Sequence, residues 1–362
     1  MPRQPNPYSD LPPQAFWRGR VAEPGLFGLN SLWESRWSLP VDARFSTYGS
    51  CFAQHISRAL VERKLNWLNA ETAPRRTPPE IARKFNYGVF SSRTGNVYTA
   101  AQLLILTQMA AGLVGSDAPE IWHENGRYFD SLRPAIEPSG FETEREASLS
   151  RLSMLRSFAR SIVQTDVFIF TLGLTEAWEN RESGHRYAIC PGTAAGSFDP
   201  DLHVLRNYGF ARVLEDMNAA IDVMRVMNPA IRILLTVSPV PLTATASGQH
   251  VLVATTYSKS VLRAVAGELA AQDEGVDYFP SYEIITGAPT RSAFFEPNLR
   301  SVVAQGVDYV MGHFFAGLRL DAPAVHSGAE GDAEAAEAAI DAAMNEEELV
   351  CEEMTLEAFN DN

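Results

Sequence analysis

Cysteine is scarce in this chain: Cys51, Cys190 and Cys351 are the only three among 362 residues. An odd number at unrelated spacings argues against a disulfide framework and against a zinc site. Neither a metal nor an organic cofactor is expected. Long apolar runs are also missing. None approaches the ~20 residues of a membrane-crossing helix, and the proline-rich residues 1–13 lack the basic-then-apolar layout of a secretion signal. The expectation is therefore a cytoplasmic protein with no membrane insertion. Basic charge is short as well, with 30 Lys+Arg against 44 Asp+Glu and a net charge of −14. The deficit is local, because residues 321–362 hold 13 Asp or Glu and no Lys or Arg, which leaves 31 acidic (44 less 13) against 30 basic residues elsewhere. Such a balanced body offers no basic surface for nucleic acid and no polybasic membrane patch.

What is present is a long, core-forming chain with 46% hydrophobic residues. Apolar runs at 43–48, 166–172, 231–237 and 276–279 predict strands. Helical periodicity at 51–62, 100–113, 142–162, 211–227, 256–271 and about 303–315 falls around them. This alternation predicts an α/β fold with a mainly parallel sheet covered on both faces. The segments 70–80 and 180–203 are rich in proline or glycine and read as long loops. The organisation expected is an N-terminal extension (1–39), one domain (40–318) and an acidic, flexible tail (319–362). Within the tail, 323–336 reads as disordered. Ile340, Met344, Val350, Met354 and Phe359 line an intermittent helix that docks on the body or a partner protein, or is simply solvated.

The stretch Tyr48-Gly49-Ser50-Cys51-Phe52-Ala53-Gln54-His55 places a thiol where a strand turns into a helix. On the first helical turn a thiolate meets unpaired N–H groups and the positive end of the helix dipole. A thiol packed as a small hydrophobe is the alternative.

This octapeptide resembles the motif of the GSCFA family, which is related to the SGNH, or GDSL-type, esterases. Similar blocks follow at 86–99 (NYGVFSSRTGNVYT), 130–134 (DSLRP), 171–178 (TLGLTEAW), 236–241 (TVSPVP) and 278–283 (YFPSYE), so that the resemblance covers about residues 40–316. It implies an SGNH-hydrolase-like three-layer α/β/α fold with an acidic C-terminal tail appended. It also implies Cys51 as nucleophile with Ser50 as fallback, and Gly173 and Thr175 as oxyanion donors. A Thr175 that caps a helix beginning near Glu176 is the alternative. Where the SGNH pattern carries Asp-x-x-His, this chain has Asn298 and Ser301, and neither accepts a proton from a nucleophile at neutral pH. The standard dyad is absent.

A thiol needs less help to ionise than a hydroxyl. His55, one helical turn after Cys51, is the first candidate partner, with His203 and His313 behind it. Arg93, Asn96, Asp130, Arg133, Glu176, Trp178 and Glu283 stand in these blocks, Lys259 and Arg300 in further segments that look family-specific, and all are candidate contacts for an oxygen-rich ligand. Internal ion pairing, for instance Asp130 with Arg133, is the competing reading. The expected activity is acyl-ester hydrolysis or acyl transfer through a Cys51 (or Ser50) acyl-enzyme. The substrate would be an acylated carbohydrate or similar small polar ester. A catalytically silent glycan- or protein-binding module is the alternative, because the dyad positions are changed. A redox-sensing thiol is a third reading, and it lacks a resolving cysteine nearby in sequence.

Overall fold

The computed structural model describes residues 6–321 and 349–360. The first half of the chain contains β1 (Ser38–Leu39), β2 (Arg44–Gly49), α1 (Ala53–Glu62), β3 (Asn66–Trp67), α2 (Pro79–Lys84), α3 (Ala100–Ala110), β4 (Ile121–Glu124), β5 (Arg127–Asp130) and α4 (Glu144–Gln164). The second half adds β6 (Val167–Leu172), β7 (Glu176–Asn180), β8 (Arg186–Tyr187), β9 (His203–Asn207), α5 (Phe210–Met227), β10 (Arg232–Val237) and α6 (Val251–Gln272). After these come β11 (Val276–Tyr278), α7 (Ser281–Thr286), α8 (Ala304–Gly317) and β12 (Arg319–Leu320). A 3-10 helix, Glu352–Phe359, closes the described chain.

The central sheet has the order β11-β10-β6-β2-β3 with every neighbouring pair parallel. Its strands are apolar on both faces. Phe168, Phe170 and Leu172 of β6 pack with residues of α3, α4, α5 and α6 on one side, while Val167 and Ile169 face the α1, α7 and α8 side. Both faces are thus covered by helices, as β6 predicts from V-F-I-F-T-L. The flanking helices are set by local signals: Thr99 with Gln102 and Thr143 with Glu146 form complete capping boxes on α3 and α4.

Two sequence expectations need correction. The segment after Thr175 is strand β7, not a helix, because Glu176–Asn180 pairs antiparallel with β9 and, through Trp178 and Glu179, with β8. The stretch read as a loop over 180–203 accordingly contains β8. In addition, α6 starts five residues earlier than its apolar period suggests, since the His250 side chain accepts a hydrogen bond from the Leu252 N–H at its start.

In chain order the five core strands lie 2-1-3-4-5, so the connections run in opposite directions from β2. In an open α/β sheet this reversal opens a crevice beyond the carboxyl ends of the two strands concerned, and ligands bind there. Here those strands are β2 and β6. Their ends carry Gly49-Ser50-Cys51 and Gly173-Leu174-Thr175.

Candidate active site

The β2–α1 turn is built on a close approach. Gly49 has φ +133°, and a Cβ there would lie 2.6 Å from the Thr171 nitrogen, so a side chain is excluded by both strain and contact. Across the crevice a Cβ on Gly173 would meet Ser50 Cβ at 2.9 Å. These two glycines let the strand ends close on one another. Ser50 N–H donates to the Thr171 carbonyl at 3.1 Å, and its buried Oγ has no partner among the described residues. Cys51 follows, 4% exposed, one residue before the helical N-cap Phe52. The N–H groups of Ala53, Gln54 and His55 bond back to Ser50, Cys51 and Phe52, whereas those of Cys51 and Phe52 donate to no acceptor among the described residues. Two unclaimed donors therefore stand beside the thiol.

Lys259 of α6 reaches the same place. Its fully buried ammonium donates to the Gly173 carbonyl at 2.7 Å, and burial pulls it down to about 8 against the opposing attraction of Glu353 and Cys51. Arg300 enters from the 298–301 turn. In that turn the Asn298 amide donates to Ser301 Oγ at 3.0 Å, while its Oδ1 accepts from the Arg300 and Ser301 N–H groups. The two residues at the absent dyad's positions shape a loop that projects an arginine.

The remaining wall comes from the C-terminal segment, which the solvated-tail reading does not anticipate. Gln54 clamps Val350 with both ends of its amide: Nε2 donates to the carbonyl at 2.7 Å and Oε1 accepts from the N–H at 3.2 Å. Asn96 Nδ2 donates to the same carbonyl at 2.8 Å and also bonds Glu352. Tyr98 OH donates to Glu352 at 2.9 Å and lies 3.9 Å from Cys351 Sγ. Arg300 contacts Cys351 Sγ at 3.9 Å, Glu353 at 3.4 Å and Met354 Sδ at 3.1 Å. Glu352 and Glu353 are both buried. Residues 323–336, Ile340 and Met344 lie outside the described residues.

Cys351 packs against the apolar cluster that holds Cys51, and each thiol perturbs the other. Cys351 is pulled down to about 5 by Cys51 and by Arg300, despite burial. Cys51 is pushed well up because the neighbouring Cys351 sulfur favours its protonated form, because it is buried, and because Glu353 is close; only Arg300 opposes. Burial and Cys351 raise Glu353 to about 7. In the closed form Cys51 is the protonated partner.

Other predicted residues sit elsewhere or are already engaged. The His55 ring makes no hydrogen bond among the described residues and packs edge-on against Phe52, and burial lowers it to about 4. His203 accepts from the Asp199 N–H and packs on Tyr187 and Phe198, and His313 packs on Tyr309. The Gly173 N–H donates to the Tyr98 carbonyl at 3.1 Å and the Thr175 hydroxyl to Asn207 at 2.7 Å. Arg93 pairs with Glu137 over the Tyr87 ring, and Asp130 is bonded by both Arg133 and Arg151 in a buried cluster. Glu283 pairs with Arg263 and accepts from Tyr278; Glu176 accepts from Thr245; Trp178 packs edge-on against Phe198. Among the predicted ligand contacts, Asn96, Lys259 and Arg300 are those brought to Cys51 and the segment that covers it. Sequence reasoning missed Gln54, Tyr98 and residues 350–353.

The GSCFA family model matches residues 44–314, a span that takes in every strand of the central sheet and both strand-end turns. The chain belongs to the GSCFA family. No curated protein matches this GSCFA chain. Among solved structures it is similar to a crystal structure of an acetyl esterase mutant with acetate ion, at 10% identity and a TM-score of 0.36, over 76% of this chain and 96% of that one. In the GSCFA chain no helix among the described residues is long and apolar enough to cross a membrane, and no group of three or more His, Cys, Asp or Glu there is placed to hold a metal ion.

Proposed function

We propose that this GSCFA protein is an acyl-ester hydrolase or acyltransferase that works through a covalent Cys51 acyl-enzyme, with Ser50 as the fallback nucleophile. The observation that carries the reading is the position of Cys51 at the reversal point of the sheet, beside two unclaimed N–H groups, the buried Lys259 and the half-buried Arg300. With residues 349–360 lifted, Cys51 loses the groups that hold its proton and keeps Arg300, so its thiol ionises more readily. The neutral amine of Lys259, which burial makes more accessible by lowering the group to about 8, accepts the proton. The thiolate attacks the ester carbonyl, and the oxyanion collects on the Cys51 and Phe52 N–H groups. The alcohol leaves with the proton from Lys259, and water or an acceptor hydroxyl then takes the acyl group from sulfur. One such donor typically contributes about 3 kcal/mol to the barrier reduction.

The substrate class is an acylated carbohydrate or similar polar ester. In support, Lys259 and Arg300 suit an oxygen-rich group, and a groove of about 710 Å³ passes Asn298, Arg300, Thr243, Leu242 and Leu252, with Leu356, Glu357, Phe359 and Asn360 of the liftable segment as its other wall. The test is the mass of the intact protein after exposure to activated acyl esters. An adduct that turns over and vanishes in Cys51→Ala is expected, and an identical adduct in Cys51→Ala removes Cys51 from the chemistry. The binding-module reading is favoured by one observation, the engagement of Asn298 and Ser301 with each other. It predicts no adduct even when Cys51 is accessible.

A further inference from the structure

We infer that Cys51 and Cys351 are a redox couple, whose oxidation by a hydroperoxide joins them in a disulfide that fastens the C-terminal segment across the β2–α1 turn. Three observations converge on this pair. Cys351 packs against the apolar cluster that holds Cys51 although 300 positions separate the two residues, and all three cysteines of the chain are free in this structure. Their approach is imposed by the backbone, since Gln54 grips both the N–H and the carbonyl of Val350, immediately before Cys351, and itself lies three residues after Cys51. The environments of the two sulfurs also differ in the way an attacked and a resolving thiol need. Cys351 is half-buried beside the Arg300 guanidinium and the Tyr98 hydroxyl, whereas Cys51 is enclosed. A thiolate next to a cation and open to solvent is the sulfur a peroxide meets first.

The chemistry balances as follows. The Cys351 thiolate attacks one peroxide oxygen, the O–O bond breaks, and the departing alkoxide or hydroxide takes a proton to become alcohol or water. Cys351 is left as sulfenic acid. Cys51 then attacks the Cys351 sulfur, its proton passes to the departing hydroxide, and water leaves as the S–S bond forms. The two sulfurs lose two electrons in total and the peroxide gains them. Two equivalents of a small thiol reverse the change by exchange. These steps need Cys51 as a free thiol and do not depend on the acyl-transfer reading.

The pair explains why the third cysteine stands aside. Among the described residues Cys190 Sγ bonds only to the Pro191 carbonyl, at 3.5 Å, and has no thiol partner.

The experiment uses the full chain carrying Cys190→Ser. It is treated with hydrogen peroxide, alkylated, digested with trypsin without reduction, and its peptides are weighed. The expected product joins the peptide ending at Arg58 to the C-terminal peptide that follows Arg319. It should form at least tenfold faster in the native than in the urea-unfolded protein, and dithiothreitol should remove it. Sulfinic or sulfonic acid at Cys351 with Cys51 left as free thiol overturns the inference, and so does cross-linking no faster in the native chain than in the unfolded one. Acyl-adduct formation by the reduced protein is read separately, so failure of either reading leaves the other intact.

Discussion

Gln54→Ala is the sharpest perturbation of the closed site. The Gln54 amide makes two hydrogen bonds to Val350, at 2.7 and 3.2 Å, and a longer one of 3.4 Å to Asn96. A net intramolecular hydrogen bond is worth about 0.5–1.5 kcal/mol, so losing the two to Val350 weakens docking by about 1–3 kcal/mol. The Val350 carbonyl keeps Asn96, which holds the loss inside that range. A free-energy change of this size multiplies the open population by about 5–150. Cys51 is enclosed in the docked form, so its alkylation reports the open population when closing outruns the reagent. Timed iodoacetamide labelling, with the peptide ending at Arg58 weighed, should show Cys51 reacting about 5–150 times faster in the variant at an unchanged Tm. Equal rates in variant and parent, with the fold intact, would refute the claim that residues 349–360 control access to Cys51.

Other consequences follow from the same geometry. Docking shifts Cys351 from an ordinary value near 9 down to about 5, so its contribution grows as pH rises across that window and is lost as pH falls through 5. Glu353 runs the other way, because its rise to about 7 costs docking stability as pH climbs to 7. Glu352 is raised by burial in the same sense as Glu353, so the Cys351 contribution is read by difference: between pH 7 and 9 hydrogen-exchange protection of residues 349–360, corrected for intrinsic rates, should gain more in the parent than in Cys351→Ser, and an equal pH dependence in the two contradicts this. Replacing the guanidinium with Arg300→Met should raise the apparent pKa of Cys351 labelling toward the ordinary thiol value, and an unmoved labelling profile excludes Arg300 as its partner. Lys259→Met should slow acyl turnover by about 10²–10³ if Lys259 moves the proton, with urea denaturation showing the fold retained. Asp130→Asn leaves Arg133 and Arg151 buried without their shared anion and should cost about 3–5 kcal/mol in urea denaturation; a stability-neutral variant with altered turnover would put Asp130 at the site instead.

The core was legible because its strands are buried on both faces and read as continuous apolar runs. Val167–Leu172 and Arg232–Val237 lie within a residue of the periods that predict them. Glu176–Asn180 was not, since E-A-W-E-N is too short for its pattern to choose between helix and strand, and its pairing with β9 decided the matter. At the site, the strand-to-helix turn announces Cys51 through Gly49, whose conformation only glycine readily adopts. The charged residues in the family-like blocks look alike in sequence. Burial separates them: Asp130, Arg93 and Arg133 satisfy one another and their neighbours, while Lys259 and Arg300 are drawn toward Cys51. The contact of Cys351 with Cys51 has no local signature at all. Val350 and Met354 among acidic residues are its only trace, and those side chains account for docking only once the Gln54, Asn96 and Arg300 contacts are in view.

The central claim is that Cys51 forms an acyl-enzyme, and the most direct test is the mass of the Gln54→Ala protein after brief exposure to an acyl thioester, with and without Cys51→Ala. The account predicts one transient acyl group on the peptide ending at Arg58, absent when Cys51 is replaced. Rapid alkylation of Cys51 in the Gln54→Ala protein, with no acyl group captured from any ester or thioester offered, would contradict it.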